Sequence, residues 1–187
     1  WVFQTSPAMD YLFYLYLALP AFIANMAPVV ADKLGVGKRF LRPIDKGRSW
    51  RGYRILGDHK TYLGFMAGAL AATVTALFQY GLGKAGLLPW PLPYGLAGAF
   101  AYGFLAGFGA LAGDAAESFV KRQLGIMSGR PFIPFDQIDY IIGFLVFTWP
   151  LYRWNWQAAL AILAFAAIAN PLANLIGYLL KIKNTYW

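Results

Sequence analysis

Residues 113–139, GDAAESFVKRQLGIMSGRPFIPFDQID, hold four of the chain's eight carboxylates beside a Lys-Arg pair. Asp114, Glu117 and Lys121 are spaced i, i+3 and i+7, so a helix there presents all three from one face. Asp136 and Asp139 form a second acidic pair three residues apart. Carboxylate oxygens gather a hard cation such as Mg²⁺, and neighbouring ammonium and guanidinium groups attract phosphate. Together they suit phosphoryl or nucleotidyl transfer, in which positioning and charge neutralisation do nearly all the work. Acidic residues also start helices, so capping is a competing role for Asp136.

The elements that must position these groups are apolar. Of 187 residues, 59% are hydrophobic, 18% aromatic and only 13% charged, which marks a polytopic membrane protein rather than a soluble domain. Five apolar runs stand out: residues 9–31, 62–83, 94–113, 138–154 and 157–180. Each approaches or exceeds the roughly 20 residues that cross about 30 Å of hydrocarbon. The expected fold is therefore all-α, with five transmembrane helices and two charged loops in one catalytic domain over residues 1–187. The first run lacks a basic start and a small-residue cleavage site, so no signal peptide is expected, and the opening on Trp1 suggests missing upstream residues.

With no cysteine, thiolate chemistry is excluded, and a single histidine argues against a zinc site. The net charge of +8 invites a nucleic-acid reading, but its distribution argues otherwise. Residues 33–60 carry nine Lys/Arg; Lys121, Arg122 and Arg130 follow the third run, and Lys181 and Lys183 lie in the tail. Only Lys84 and Arg153 fall on the opposite side. The positive-inside bias then puts the N-terminus outside and the C-terminus in the cytoplasm, with both charged loops on the cytoplasmic face of the cell membrane. No nucleic acid is expected as a partner.

Polar residues inside the spans need partners: Asn25 near Pro20 and Pro28 in the first run, and Asn170, Pro171 and Asn174 in the last. Ala99, Gly103 and Gly107 recur every four residues, as do Gly109 and Gly113, which predicts close helix packing. The first loop ends in Gly57-Asp58-His59-Lys60-Thr61, where Gly57 permits a tight turn, Asp58 or Thr61 can cap the second helix, and Lys60 attracts phosphate. If a lipid phosphate is the attacking group, its second pKa of about 6 leaves it largely ionised at neutral pH, so His59 need not act as a base.

Ser118-Phe119-Val120-Lys121-Arg122 followed by Asp136-Gln137-Ile138-Asp139 resembles the signature of CDP-diacylglycerol synthases, with Gln137 standing where that family has Arg. The archaeal branch, the CDP-archaeol synthases, is a closer match. Similar there are Ala24-Asn25 with Pro28-Val29, Pro43-Ile44-Asp45, residues 51–61, residues 113–122, and Asn174 with the tail, although Leu63 replaces an expected Arg. This resemblance implies transfer of CMP from CTP to 2,3-di-O-geranylgeranylglyceryl phosphate, an isoprenoid ether-lipid phosphate, with pyrophosphate released. It implies Asp114 and Asp139 as Mg²⁺ ligands, supported by Asp136 and Glu117, with Asp114, Glu117, Lys121 and Asp139 as the catalytic set. Lys60, Lys121 and Arg122 would meet the triphosphate or lipid phosphate, Asp58 and Thr61 would shape the loop, and Asn25 would bond near the base or lipid phosphate. A homodimer is compatible with it. From the residues alone, a CDP-alcohol phosphotransferase and a small transporter or scaffold subunit stay open.

Overall fold

The computed structural model describes residues 7–35, 41–127 and 130–181, with side chains from residue 11. Lys38, Arg39, the Ser128-Gly129 part of the second loop and the Lys183 to Trp187 tail lie outside the described residues. The chain is helical: α1 Pro7–Lys33, α2 Tyr62–Lys84, α3 Leu96–Gln123, α4 Phe135–Thr148 and α5 Trp156–Leu179, with one hairpin, β1 Ser49–Trp50 and β2 Tyr53–Arg54. Among the described residues, four helices, α1, α2, α3 and α5, are long and apolar enough to cross a membrane.

The fourth run departs from the expected full-length span. Its 14-residue helix is about 21 Å long at 1.5 Å per residue, short of the hydrocarbon thickness. Pro150 supplies the reason: Trp149 keeps helical dihedrals, but the proline has no N–H to donate to the Val146 carbonyl, so the hydrogen-bond ladder stops there. Thr148 closes the end by accepting from Trp154 Nε1 at 2.9 Å and donating to the Phe144 carbonyl at 2.7 Å.

In contrast, α3 continues ten residues past Gly113, so its 28 residues extend about 42 Å and carry Lys121 beyond the apolar part. Its small residues separate into two faces. A Cβ on Gly103 would lie 2.7 Å from Thr73 Cα, and one on Gly107 2.9 Å from Ala69 Cα, so this face is pressed against the α2 backbone. A Cβ on Gly109 would lie 2.7 Å from the Gly143 carbonyl oxygen, and one on Gly143 would overlap the Gly109 carbonyl. Contact at backbone level is what brings the start of α4 against the acidic end of α3.

The prolines of α1 do not interrupt it. Pro20 has no N–H to give to the Tyr16 carbonyl, and in hydrocarbon that oxygen needs another donor. Buried Gln79 of α2 donates to it at 2.6 Å. Tyr102 donates to the adjacent Leu17 carbonyl at 2.7 Å, pinning α3 to the same place. The core centres on these contacts with Tyr140, Ile141 and Phe144 of α4.

Candidate active site

The first loop is assembled around one carboxylate. Asp45, its side chain fully buried, accepts from Arg54 Nε at 3.2 Å and Arg54 Nη2 at 2.9 Å, and from the backbone N–H groups of Gly47, Leu56 and Gly57, each at 3.0 Å. Burial by itself would raise its pKa; the Arg54 fork and the three amides outweigh that and hold it well below the usual carboxylate range. The β1–β2 hairpin turns through Arg51 and Gly52, both at positive φ, as a two-residue turn requires. Trp50 stacks on Phe119 of α3 at 5.6 Å between ring centroids, so the hairpin is docked on the extension of that helix.

Gly57, at φ +103, turns the chain so that His59, Lys60 and Thr61 follow in order. The Ile44 N–H donates to the Lys60 carbonyl at 2.8 Å, and Thr61 caps α2 by accepting from the Gly64 N–H at 3.1 Å. Of the two candidate caps, Thr61 is the one used. Asp58 is exposed and pairs with Arg54 at 3.0 Å, so it belongs to the loop's outer bracing. Lys60 reaches across to α3, its Nζ 2.7 Å from both Asp114 oxygens.

On α3, Asp114 and Glu117 project toward the first turns of α4. Carboxylate oxygens of Asp114, Glu117 and Asp139 all lie within 4.8 Å of one another. The Glu117 side chain is 7% exposed, and its Oε1 has no hydrogen-bond partner. Three carboxylates this close repel unless a cation or protons neutralise them, and an all-oxygen set is what a hard divalent ion takes. These residues fit Mg²⁺. Of the two carboxylates expected in support, Glu117 completes the trio, whereas Asp136, also expected as a metal ligand, turns to Lys121, 2.7 Å from its Nζ, and accepts from the Phe132 N–H. Burial would raise the Asp136 pKa, but the Lys121 ammonium and the Phe132 amide hold it below its usual value.

Lys121 is itself buried, 2.7 Å from Asp136 and 3.5 Å from Glu117. Arg122 turns away: Nη1 donates to the Ile126 carbonyl and Nε is buried without a partner, and the residue lines neither cavity beside the trio. A polar cavity of about 260 Å³ adjoins Asp114 and is lined by Asn25, His59, Lys60, Asp136, Asn170 and Asn174 among others. Asn25, Lys60 and Thr61 thus meet at one place, although Asn25 comes from α1 and the other two from the end of the first loop. Sequence reasoning singled out neither Asp45 nor His59, Asn170 and Asn174 as site residues. The signal for the asparagines was their place in an apolar span, where Asn170 now donates to the Asp136 carbonyl at 2.9 Å.

Comparison with known proteins bears on this geometry. A family model described as CarS-like, CDP-archaeol synthase, matches residues 9–187. Among curated relatives, a CDP-archaeol synthase of Thermococcus gammatolerans is 39% identical over 175 residues, covering 92% of this chain and 94% of its own. One from Pyrococcus abyssi is 38% identical, with 97% of this chain and 99% of the relative covered. A third from Methanopyrus kandleri is 41% identical, covering 92% and 91%. A solved structure described as an intramembrane enzyme for archaeal membrane lipids biosynthesis superposes with a TM-score of 0.70 at 36% identity, covering 86% of this chain and 91% of that one.

Proposed function

This chain belongs to the CDP-archaeol synthase family, and we propose on that premise how its residues carry the reaction. It forms CDP-archaeol and pyrophosphate from CTP and the archaeal lipid phosphate. The CDP-alcohol phosphotransferase and transporter readings give way to the family membership. The single observation that carries the residue assignment is the gathering of Asp114, Glu117 and Asp139 within 4.8 Å, with Lys60 and Lys121 against them.

In this reading Asp114, Glu117 and Asp139 would hold Mg²⁺, which when bound would supply positive charge against the triphosphate. A lipid phosphate oxygen attacks the α-phosphorus of CTP; the new P–O bond forms as the α–β bridging bond breaks, and pyrophosphate leaves. The attacking phosphate is already largely dianionic near pH 7, so no side chain need remove a proton. Lys60 and Lys121 stabilise charge that develops on the transferring and leaving groups. Thr61 and Asp58 keep Lys60 in place through the cap and the Arg54 pair. Asn25, Asn170 and Asn174 offer hydrogen bonds to ribose, base or phosphate in the polar cavity, and Arg122 supports the turn after α3.

The chain functions as one transmembrane catalytic unit that crosses the membrane five times, with the site at the cytoplasmic boundary. Support for a fifth crossing comes from two pins on α4. Asp139 lies against Gly113, and Tyr94 at the other end of α3 donates to the Leu151 carbonyl at 3.1 Å. Short α4 plus its following turn therefore runs alongside residues 94–113, the apolar run of α3.

The test is CTP-dependent pyrophosphate release by purified protein with the isoprenoid glycerol phosphate and Mg²⁺. Activity in the wild type and its loss in Asp114→Ala and in Asp139→Ala are expected. Retained activity in both variants would remove the metal assignment.

A further inference from the structure

A second cavity, about 360 Å³, lies on the far side of the carboxylate trio from the polar one. Between α3 and α4, its walls include Ala116, Ile142, Val146 and Phe147, and Glu117 and Asp139 reach it at its cytoplasmic end. Ile142 and Val146 are exposed, so the groove opens sideways, toward lipid.

Its floor follows a regular stripe. Phe135, Asp139, Ile142, Val146 and Trp149 are spaced by four, three, four and three residues, one face of α4 and its continuation. Val146 also borders a further apolar cavity of about 680 Å³ with Trp149, Pro150 and Trp156. The two make one track from the carboxylates toward the opposite end of the bundle, about 21 Å for the 14 helical steps from Phe135 to Trp149.

We infer that this track between α3 and α4 seats one isoprenoid chain of the lipid phosphate, with its phosphate entering the site laterally beside Glu117, Asp139 and Lys121. Three observations choose this occupant over bulk lipid or the nucleotide. Two acidic side chains border an otherwise apolar, membrane-facing groove, which a chain with an anionic, cation-bridged head satisfies and a neutral apolar occupant does not. Lys121, near its upper end, contributes positive charge for the phosphate. On the other side of the trio, asparagines and His59 line the space, a poor surface for hydrocarbon and a good one for nucleotide. Alanine at 112 and 116 on α3 leaves width for the branched methyl groups of an isoprenoid.

This inference rests on the site proposed above, but its readout is separate, because it concerns the lipid KM of an enzyme whose carboxylates are intact. Val146→Trp and Ile142→Trp fill the track, and Val74→Trp places the same bulk on an exposed position of α2 away from it. Steady-state pyrophosphate release is measured against a geranylgeranyl ether-lipid phosphate and against a short-chain glycerol phosphate too short to pass Ile142. For the long-chain substrate, KM is expected to rise at least about tenfold in the two track variants, equivalent to losing roughly two buried methylenes. The CTP KM, the short-chain KM and the Val74→Trp kinetics are expected to stay within about twofold of wild type, since none of them draws on the track. In wild-type protein, a lipid phosphate carrying a photoreactive group in mid-chain is expected to label α3 and α4. Unchanged long-chain KM in both track variants, or labelling confined to α1 and α5 around Asn25 and Asn174, would overturn it. Failure of the site reading instead shows as activity retained in Asp114→Ala and Asp139→Ala.

Discussion

Lys60 Nζ lies 2.7 Å from both oxygens of Asp114, joining a basic loop to an acidic helix across 54 residues of sequence. The pair is partly buried, with the side chains 17% and 28% exposed, so solvent screens it less than a surface bridge. Its place between the polar cavity and the carboxylate trio would leave the ammonium free for phosphate if a divalent ion were held by Asp114, as proposed above.

Removing that ammonium has a definite expected outcome. Lys60→Ala should lower kcat/KM for CTP by about 10²–10³-fold, the range for a preorganised group aimed at developing charge. Lys60→Arg should recover part of it. Pyrophosphate release over a CTP series measures this, and a change below about threefold would take Lys60 out of the reaction.

Glu117 and Asp136 both border Lys121, at 3.5 and 2.7 Å, but only Glu117 also faces Asp114 and Asp139, which separates their roles. Glu117→Gln should raise the Mg²⁺ concentration for half-maximal rate, because it weakens the trio. Asp136→Asn should lower the rate through loss of the Lys121 pair and leave the Mg²⁺ midpoint near that of wild type. A Mg²⁺ titration of both variants decides; a larger midpoint shift in Asp136→Asn would exchange the two assignments.

The first loop should loosen in acid. Because Asp45 has its pKa depressed on folding, its contribution is fully present above the unfolded carboxylate range, about pH 4, and is lost as pH falls through the lower folded value. Protease cleavage within residues 41–61 is therefore expected to rise only below about pH 4 in wild type. Asp45→Asn should be cleaved faster at pH 7 and show a flatter pH response. Equal cleavage of both proteins at neutral pH would argue against Asp45 as the loop's organiser.

Helix contact at Gly143 leaves no room for a side chain, whereas Gly81 on α2 faces open space. Gly143→Ala should destabilise by about 1–3 kcal/mol through overpacking and lower the thermal midpoint in detergent. Gly81→Ala should leave the midpoint unchanged or slightly higher, as alanine favours helix by up to about 1 kcal/mol. Calorimetry or a fluorescence melt of the two variants checks the contrast.

Much of the architecture is local in origin and so was legible in the residues. Apolar runs marked all five helices, and the i, i+3, i+7 spacing put Asp114, Glu117 and Lys121 on one face. Thr61 was a candidate cap and became one. The hairpin at residues 49–54 carries no strong turn signal, since Arg51 precedes Gly52 where Asn or Asp is usual. The length of α4 was misjudged because hydropathy continues through Phe147-Thr148-Trp149 while Pro150, with no N–H to give, ends the hydrogen-bond ladder. Asp45 looked like one more loop acid; its five bonds come from residues two to twelve positions away, which composition does not reveal.

By itself, then, the sequence determined a membrane-embedded helical bundle, the side of α3 on which its charges sit, and the family to which the chain belongs. Only the tertiary structure decided which carboxylates share a site. Glu117 rather than Asp136 joins Asp114 and Asp139, because the glycine contact of α3 with α4 sets the register between the two helices, and Lys121 takes the remaining acid. Periodicity fixes which residues share a face, but which faces meet, and at what height, depends on contacts between segments far apart in the chain.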